Sequence, residues 1–164
     1  MKILIQLLSI LALHFATLAQ NTKPVKVNIQ DLKSINTHAA YCARESVRLI
    51  RERAALDSLQ TKRSEDFLFS LIQRYYVHLK TKNYTLKPIL YKERIQLKTE
   101  RDRYLKALLT DYQYGRYREF ATAVEKKELE KSKKDPKNLS EEDKIYLETL
   151  GWDLLLIPVE IVEK

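Results

Sequence analysis

The sequence contains very little glycine and proline, with two glycines and four prolines among 164 residues. Sheet proteins need such residues at many tight turns, so their scarcity argues against a sheet fold. The single cysteine, Cys42, excludes an internal disulfide bond. The sequence also lacks a glycine-rich phosphate loop, a nucleophile elbow and a metalloprotease helix motif. We therefore predict an all-α protein that is not an enzyme, needs no cofactor and is stabilised by packing.

The first twenty residues have the layout of a secretory signal peptide. Lys2 precedes a mostly apolar stretch, which ends in small residues near Ala19. This stretch is shorter than the roughly 20 apolar residues that span a bilayer. We predict that residues 1–19 are a signal peptide, that cleavage follows Ala19 and that the protein is periplasmic.

The chain is basic, with 30 lysines and arginines against 22 acidic residues and a net charge of +8. In a cytoplasmic protein this excess would point to nucleic acid, which an exported chain rarely meets. Acidic or unfolded polypeptides and phosphate-rich lipid surfaces are the expected partners instead. The simplest alternative is that the charge only keeps the protein soluble.

Apolar residues at helical spacing predict four long helices. The first covers about 29–55, the second begins at 56, and the segment 83–88 ends it because of its proline. The third covers about 88–109 and the fourth begins after 110. Gly115 in the fourth helix predicts a close helix contact or a bend.

The chain divides into a helical domain and a C-terminal region of different character. The helical domain covers residues 20–124. Residues 125–138 are almost entirely polar and predict a charged helix end and a linker. Residues 139–164 predict a short helix followed by an apolar, extended tail that packs on the helices.

Two of the predicted helix starts share one polar spacing. An aspartate or threonine that follows a leucine can accept the backbone N–H three residues later, and a glutamine there can return a bond to the cap's own N–H. This reciprocal arrangement, a capping box, is predicted at both junctions between helices. The residues of the two copies are Leu56, Asp57, Gln60, Leu109, Thr110 and Gln113.

The duplicated motif, about fifty residues apart in a basic helical chain with a signal peptide, resembles the LTxxQ-motif family of periplasmic proteins typified by the Spy and CpxP stress proteins. The second copy matches in full, whereas Asp57 replaces the family's threonine in the first. The resemblance covers roughly residues 35–120. It implies long helical hairpins in a thin cradle and ATP-independent holding of unfolded clients. It also implies that a metal ion or an envelope sensor protein could be a partner.

A homodimer is expected because the polar middle of the third helix, residues 98–103, cannot bury much core alone. Client holding needs apolar patches bordered by charge, which alternating tyrosines and arginines could supply. The alternative interpretation places most of these tyrosines in the core or in a dimer interface. The candidate client-binding residues are Arg74, Tyr75, Tyr76, Arg94, Arg101, Arg103, Tyr104, Tyr114, Arg116, Tyr117 and Arg118.

Three further side chains are candidate metal ligands. His38 and Cys42 are four residues apart on one helix face, a spacing that can place two ligands on one ion, and His78 could complete the site. A buried Cys42 would instead behave as a small hydrophobic residue. Two other functions therefore stay open: a metal-responsive periplasmic accessory or sensor protein, and a structural adaptor that docks on one envelope partner.

Overall fold

A computed structural model describes residues 25–27, 31–81, 87–134, 155–157 and 159–161 of the chain. The predicted all-α fold is confirmed in these ranges, with the addition of two three-residue strands. The elements are β1 (Val25–Val27), α1 (Leu32–Ala54), α2 (Ser58–Thr81), α3 (Lys87–Leu108), α4 (Asp111–Lys134) and β2 (Val159–Ile161). No helix in the described ranges combines the length and apolar character that a membrane crossing requires.

The first helix begins three residues later than predicted because a polar residue caps it. The Asp31 carboxylate accepts the backbone N–H of Ser34 at 2.8 Å. This hydrogen bond is the main cause that lowers the pKa of Asp31. At the other end Ala55 is in the left-handed conformation, with φ of 52°, and its N–H donates to the carbonyl oxygen of Arg51 at 2.8 Å.

The apolar core lies mainly between α1 and α2, which pack along each other. Five residues at helical spacing on α2 have lost nearly all solvent exposure and form its buried face. They are Leu68, Leu71, Ile72, Tyr75 and Leu79. Helix α1 also contacts α4, and α2 contacts α3, so the two helical hairpins form one packed unit.

The C-terminal tail joins this core, as predicted. Leu155, Leu156 and Ile157 are buried, and the hydroxyl group of Ser46 on α1 hydrogen-bonds the carbonyl oxygen of Leu155. Strand β2 then pairs with β1 in parallel, with Val25 opposite Val159. The predicted signal peptide, the linker at 135–138 and the short helix at 139–150 lie outside the described residues.

In the polar middle of α3, residues 98–103, the buried side chain is a charged one instead of an apolar one. Arg101 has no exposed surface, and its guanidinium Nε lies 2.9 Å from Asp102 Oδ1. On α4, Arg118 donates to the other oxygen of Asp102 at 2.6 Å, and the Tyr117 hydroxyl also donates to this carboxylate. The chain therefore buries Arg101 without a partner chain, and the expected homodimer stays a prediction.

Gly115 does not support a close helix contact, contrary to that expectation. The residue is exposed, and a β-carbon built there meets no atom of the described chain within 4 Å beyond its own helix neighbours. The glycine therefore has no packing role in this structure.

Candidate functional site

Both predicted capping boxes are confirmed by their hydrogen bonds. Asp57 Oδ1 accepts the N–H of Gln60 at 2.7 Å, and Gln60 Oε1 accepts the N–H of Asp57 at 3.1 Å. Thr110 Oγ1 accepts the N–H of Gln113 at 3.3 Å, and Gln113 Oε1 accepts the N–H of Thr110 at 3.1 Å. The substitution of Asp57 for threonine in the first copy therefore preserves the cap.

The two glutamines of the capping boxes also bind each other. Gln60 Nε2 donates to Gln113 Oε1 at 2.9 Å, and Gln113 Nε2 donates to Gln60 Oε1 at 3.0 Å. Each amide nitrogen then reaches a helix end in the other hairpin: Gln60 donates to the carbonyl oxygen of Leu108 at 3.3 Å, and Gln113 to that of Ala55 at 3.1 Å. The paired amides thus join the ends of α1 and α3 to the starts of α2 and α4.

We call this meeting point of four helix ends the junction; it consists of residues 55–60 and 108–113. Its contacts repeat with an offset of 53 residues, the separation between Gln60 and Gln113. The leucines that begin the two motifs are equivalent and buried, with Leu56 5% and Leu109 7% exposed. The junction is therefore locally two-fold symmetric although one chain supplies both halves.

Two apolar side chains at the junction point into solvent. Leu59 is 59% exposed and Tyr112 is 76% exposed. They occupy equivalent positions, each directly before the glutamine of its motif. We call this pair the junction tip. Sequence reasoning missed it, although the 53-residue offset aligns the two positions.

Aromatic side chains flank the junction on both hairpins. Phe67 of α2 and Tyr104 of α3 stack with ring centroids 3.8 Å apart and planes 2° from parallel. The Tyr104 hydroxyl group donates to the carbonyl oxygen of Arg63 at 3.2 Å. On the other side, the Arg53 guanidinium lies 6.0 Å from the centre of the Phe120 ring. We call the Phe67–Tyr104 pair the aromatic stack.

The structure buries five of the predicted client-binding residues, so the surface is smaller than the sequence indicates. Large aromatic rings are drawn into the core, and the Arg101 guanidinium is held beside Asp102 and the Tyr117 ring. The buried members are Tyr75, Tyr76, Arg94, Arg101 and Tyr117. The exposed or half-buried members are Arg74, Arg103, Tyr104, Tyr114, Arg116 and Arg118.

The surface has more cations than its carboxylates can pair with. Many acidic side chains already serve as helix caps or ion-pair partners; Glu100, for example, pairs with Arg74 at 2.7 Å. Within the described residues, a set of exposed lysines and arginines forms no ion pair. This set includes Arg44, Arg51, Arg63, Lys92, Arg103, Lys106 and Lys126.

The candidate metal ligands are not brought together. Cys42 is fully buried, and its Sγ lies 3.4 Å from the Tyr76 hydroxyl oxygen. Burial raises the pKa of Cys42 to about 11, which disfavours the thiolate that a metal ion binds. His78 instead pairs with Glu93 on α3. Among the described residues, no group of three or more His, Cys, Asp or Glu could hold a metal ion.

Comparisons with known proteins add no relative: no protein-family model, curated protein or solved structure matches this chain.

Proposed function

We propose that this protein is an exported, periplasmic, ATP-independent chaperone that works as a homodimer and holds unfolded polypeptides. The resemblance of the duplicated motif to a family with this activity motivates the proposal. The client surface is narrower than the sequence alone indicates. It consists of the aromatic stack and the exposed arginines beside it, Arg63 and Arg103.

The observation that carries the proposal is the stack itself, which leaves two aromatic rings half-buried. The exposed Arg63 lies about one helical turn before Phe67 on α2, and the exposed Arg103 directly precedes Tyr104 on α3. Rings held in place by each other offer contact area at a small loss of conformational entropy. Arginine attracts carboxylates of a client and can stack on its aromatic side chains. Neither contact depends on a particular client sequence, as a holding chaperone requires.

The positive charge of the exposed arginines also supports client binding at the aromatic stack. Since the acidic side chains are largely engaged within the protein, Arg63 and Arg103 are available to a client. Attraction between exposed charges is screened within a Debye length of about 8 Å at physiological salt. Client holding should therefore weaken as salt is added.

The test is light scattering from an aggregating client protein at low salt, without ATP and with near-stoichiometric amounts of this protein. The informative variant is Arg63→Glu/Arg103→Glu, which reverses the charge beside the aromatic stack. The matched control, Lys92→Glu/Lys126→Glu, reverses two other exposed and unpaired cations and gives the same net charge. All four residues lie on helix surfaces, so both variants should fold.

We expect the wild type and the control to suppress scattering and the Arg63/Arg103 variant to lose most of this effect. Equal loss in both variants would show that net charge acts without a defined surface. No suppression by the wild type would refute the proposal. The homodimer is tested separately by the mass in solution, and a monomer at micromolar concentration would refute that part.

A further inference from the structure

The junction tip has no role in holding the junction together. The caps use Asp57 and Thr110, and the glutamine pair uses Gln60 and Gln113. Leu59 and Tyr112 stand beside these residues in the first turns of α2 and α4, with 59% and 76% of their surface exposed. The glutamine pair fixes the two helix starts side by side. Both apolar side chains are therefore exposed at the same junction.

The chain segments that flank the tip form a border that is basic on balance. The segments 51–63 and 104–116, which run into and out of the junction, contain six basic and three acidic residues. Of the acidic ones, Asp57 is engaged as a helix cap, Glu52 pairs with Arg48 at 2.6 Å, and Asp111, directly before Tyr112, is exposed. Among the basic ones, Arg51, Arg63 and Lys106 are exposed and form no ion pair within the described part of the chain. The border therefore carries a net positive charge.

The exposed apolar pair and the positive charge of the flanking segments together indicate which kind of partner the tip could bind. A second copy docked on the tip would bring two positive borders together, which repel each other. A polypeptide segment would need a groove, whereas the tip stands where the chain turns at the end of the helices. An anionic lipid surface fits both features, because leucine and tyrosine can enter the headgroup region while lysine and arginine contact the phosphates.

We propose that the junction end docks this protein on anionic lipid bilayers, with Leu59 and Tyr112 as the inserting side chains. Docking is peripheral and reversible, since two side chains and a few charges give weak attachment.

The test uses flotation of the full chain with vesicles of phosphatidylcholine alone or mixed with phosphatidylglycerol. The variant Leu59→Ser/Tyr112→Ser removes the tip. The control Leu32→Ser/Tyr41→Ser makes the same chemical change at two other exposed sites, where Leu32 is 59% and Tyr41 46% exposed. Leu32 begins α1, a 23-residue helix, and so lies roughly 33 Å from the junction.

We expect binding to the anionic vesicles only, weakened by salt, with a loss of affinity of at least roughly tenfold in the tip variant and less than about twofold in the control. Hydrogen exchange on vesicles should also slow at residues 55–60 and 108–113. Equal affinity of the tip variant and the wild type would overturn the proposal, as would binding without protection at the junction. Failure of the wild type to bind vesicles, with tip-dependent binding of a soluble acidic peptide, would overturn it in favour of a protein partner.

Discussion

Replacing either paired glutamine by alanine should destabilise the protein by roughly 2–4 kcal/mol. The Gln113 amide makes five hydrogen bonds: with Gln60 in both directions, with the N–H and the hydroxyl group of Thr110, and with the carbonyl oxygen of Ala55. A typical hydrogen bond contributes about 0.5–1.5 kcal/mol net, and the low half of that range applies because the junction is partly solvated. Gln60 has an equivalent set of bonds, so its substitution should have a similar effect.

The sharper prediction concerns the double variant. Gln60→Ala and Gln113→Ala each remove the same two amide–amide bonds, so the double variant should lose about 1–2 kcal/mol less than the sum of the single variants. Urea denaturation followed by circular dichroism measures the free energy of unfolding of the wild type, of the two single variants and of the double variant. Gln73→Ala is the control, since Gln73 is a half-buried glutamine of α2 whose amide binds Asn36 at 2.7 Å, away from the junction. The free-energy changes of Gln73→Ala and Gln60→Ala should simply add when the two substitutions are combined. If the changes of Gln60→Ala and Gln113→Ala also added to within about 0.5 kcal/mol, the reasoning would be refuted.

Three further substitutions or conditions have expected outcomes. Gly115→Ala should raise the free energy of unfolding by up to about 1 kcal/mol, because the site is open and alanine favours a helix; a loss of stability in urea denaturation would reveal an unseen contact. Ala55→Gly should raise it by roughly 0.5–1 kcal/mol, because glycine adopts the left-handed conformation without strain; an unchanged denaturation midpoint would contradict this. Cys42, whose pKa burial raises to about 11, should resist alkylation at pH 8 until the protein unfolds. Since the folded thiol keeps its proton when the unfolded one has lost it, its contribution to stability is complete below about pH 8.5 and is lost as the pH rises towards 11; fast alkylation of the folded protein would show that Cys42 is accessible.

The starts of α2 and α4 could be predicted because capping is a local interaction. The cap and its partner are three residues apart in each box, so the sequence contains all of the geometry that is needed. The same logic could have found the start of α1, where Asp31 caps Ser34. The apolar stripe, which continues back to Ile29, favours an earlier start instead.

The pairing of Gln60 with Gln113 and the burial of Arg101 depend on tertiary structure, and the sequence alone does not contain them. A glutamine amide can satisfy its hydrogen bonds with water equally well, so a partner 53 residues away leaves no local signal. Arg101 continues the inward stripe of Leu97 and Leu105, but arginine is rarely buried. The nearby Asp102 carboxylate and Tyr117 ring help to make its burial acceptable.

The structure assigns every fixed position of the duplicated motif to architecture. The leucines are buried, the aspartate and threonine cap helices, and the glutamines join the two hairpins. Any chain that joined two hairpins in this way would benefit from these residues, whatever its activity. Function must therefore lie at positions that the junction leaves free. Leu59 and Tyr112 are such positions, and burial does not explain their apolar character, since each exposes more than half of its surface.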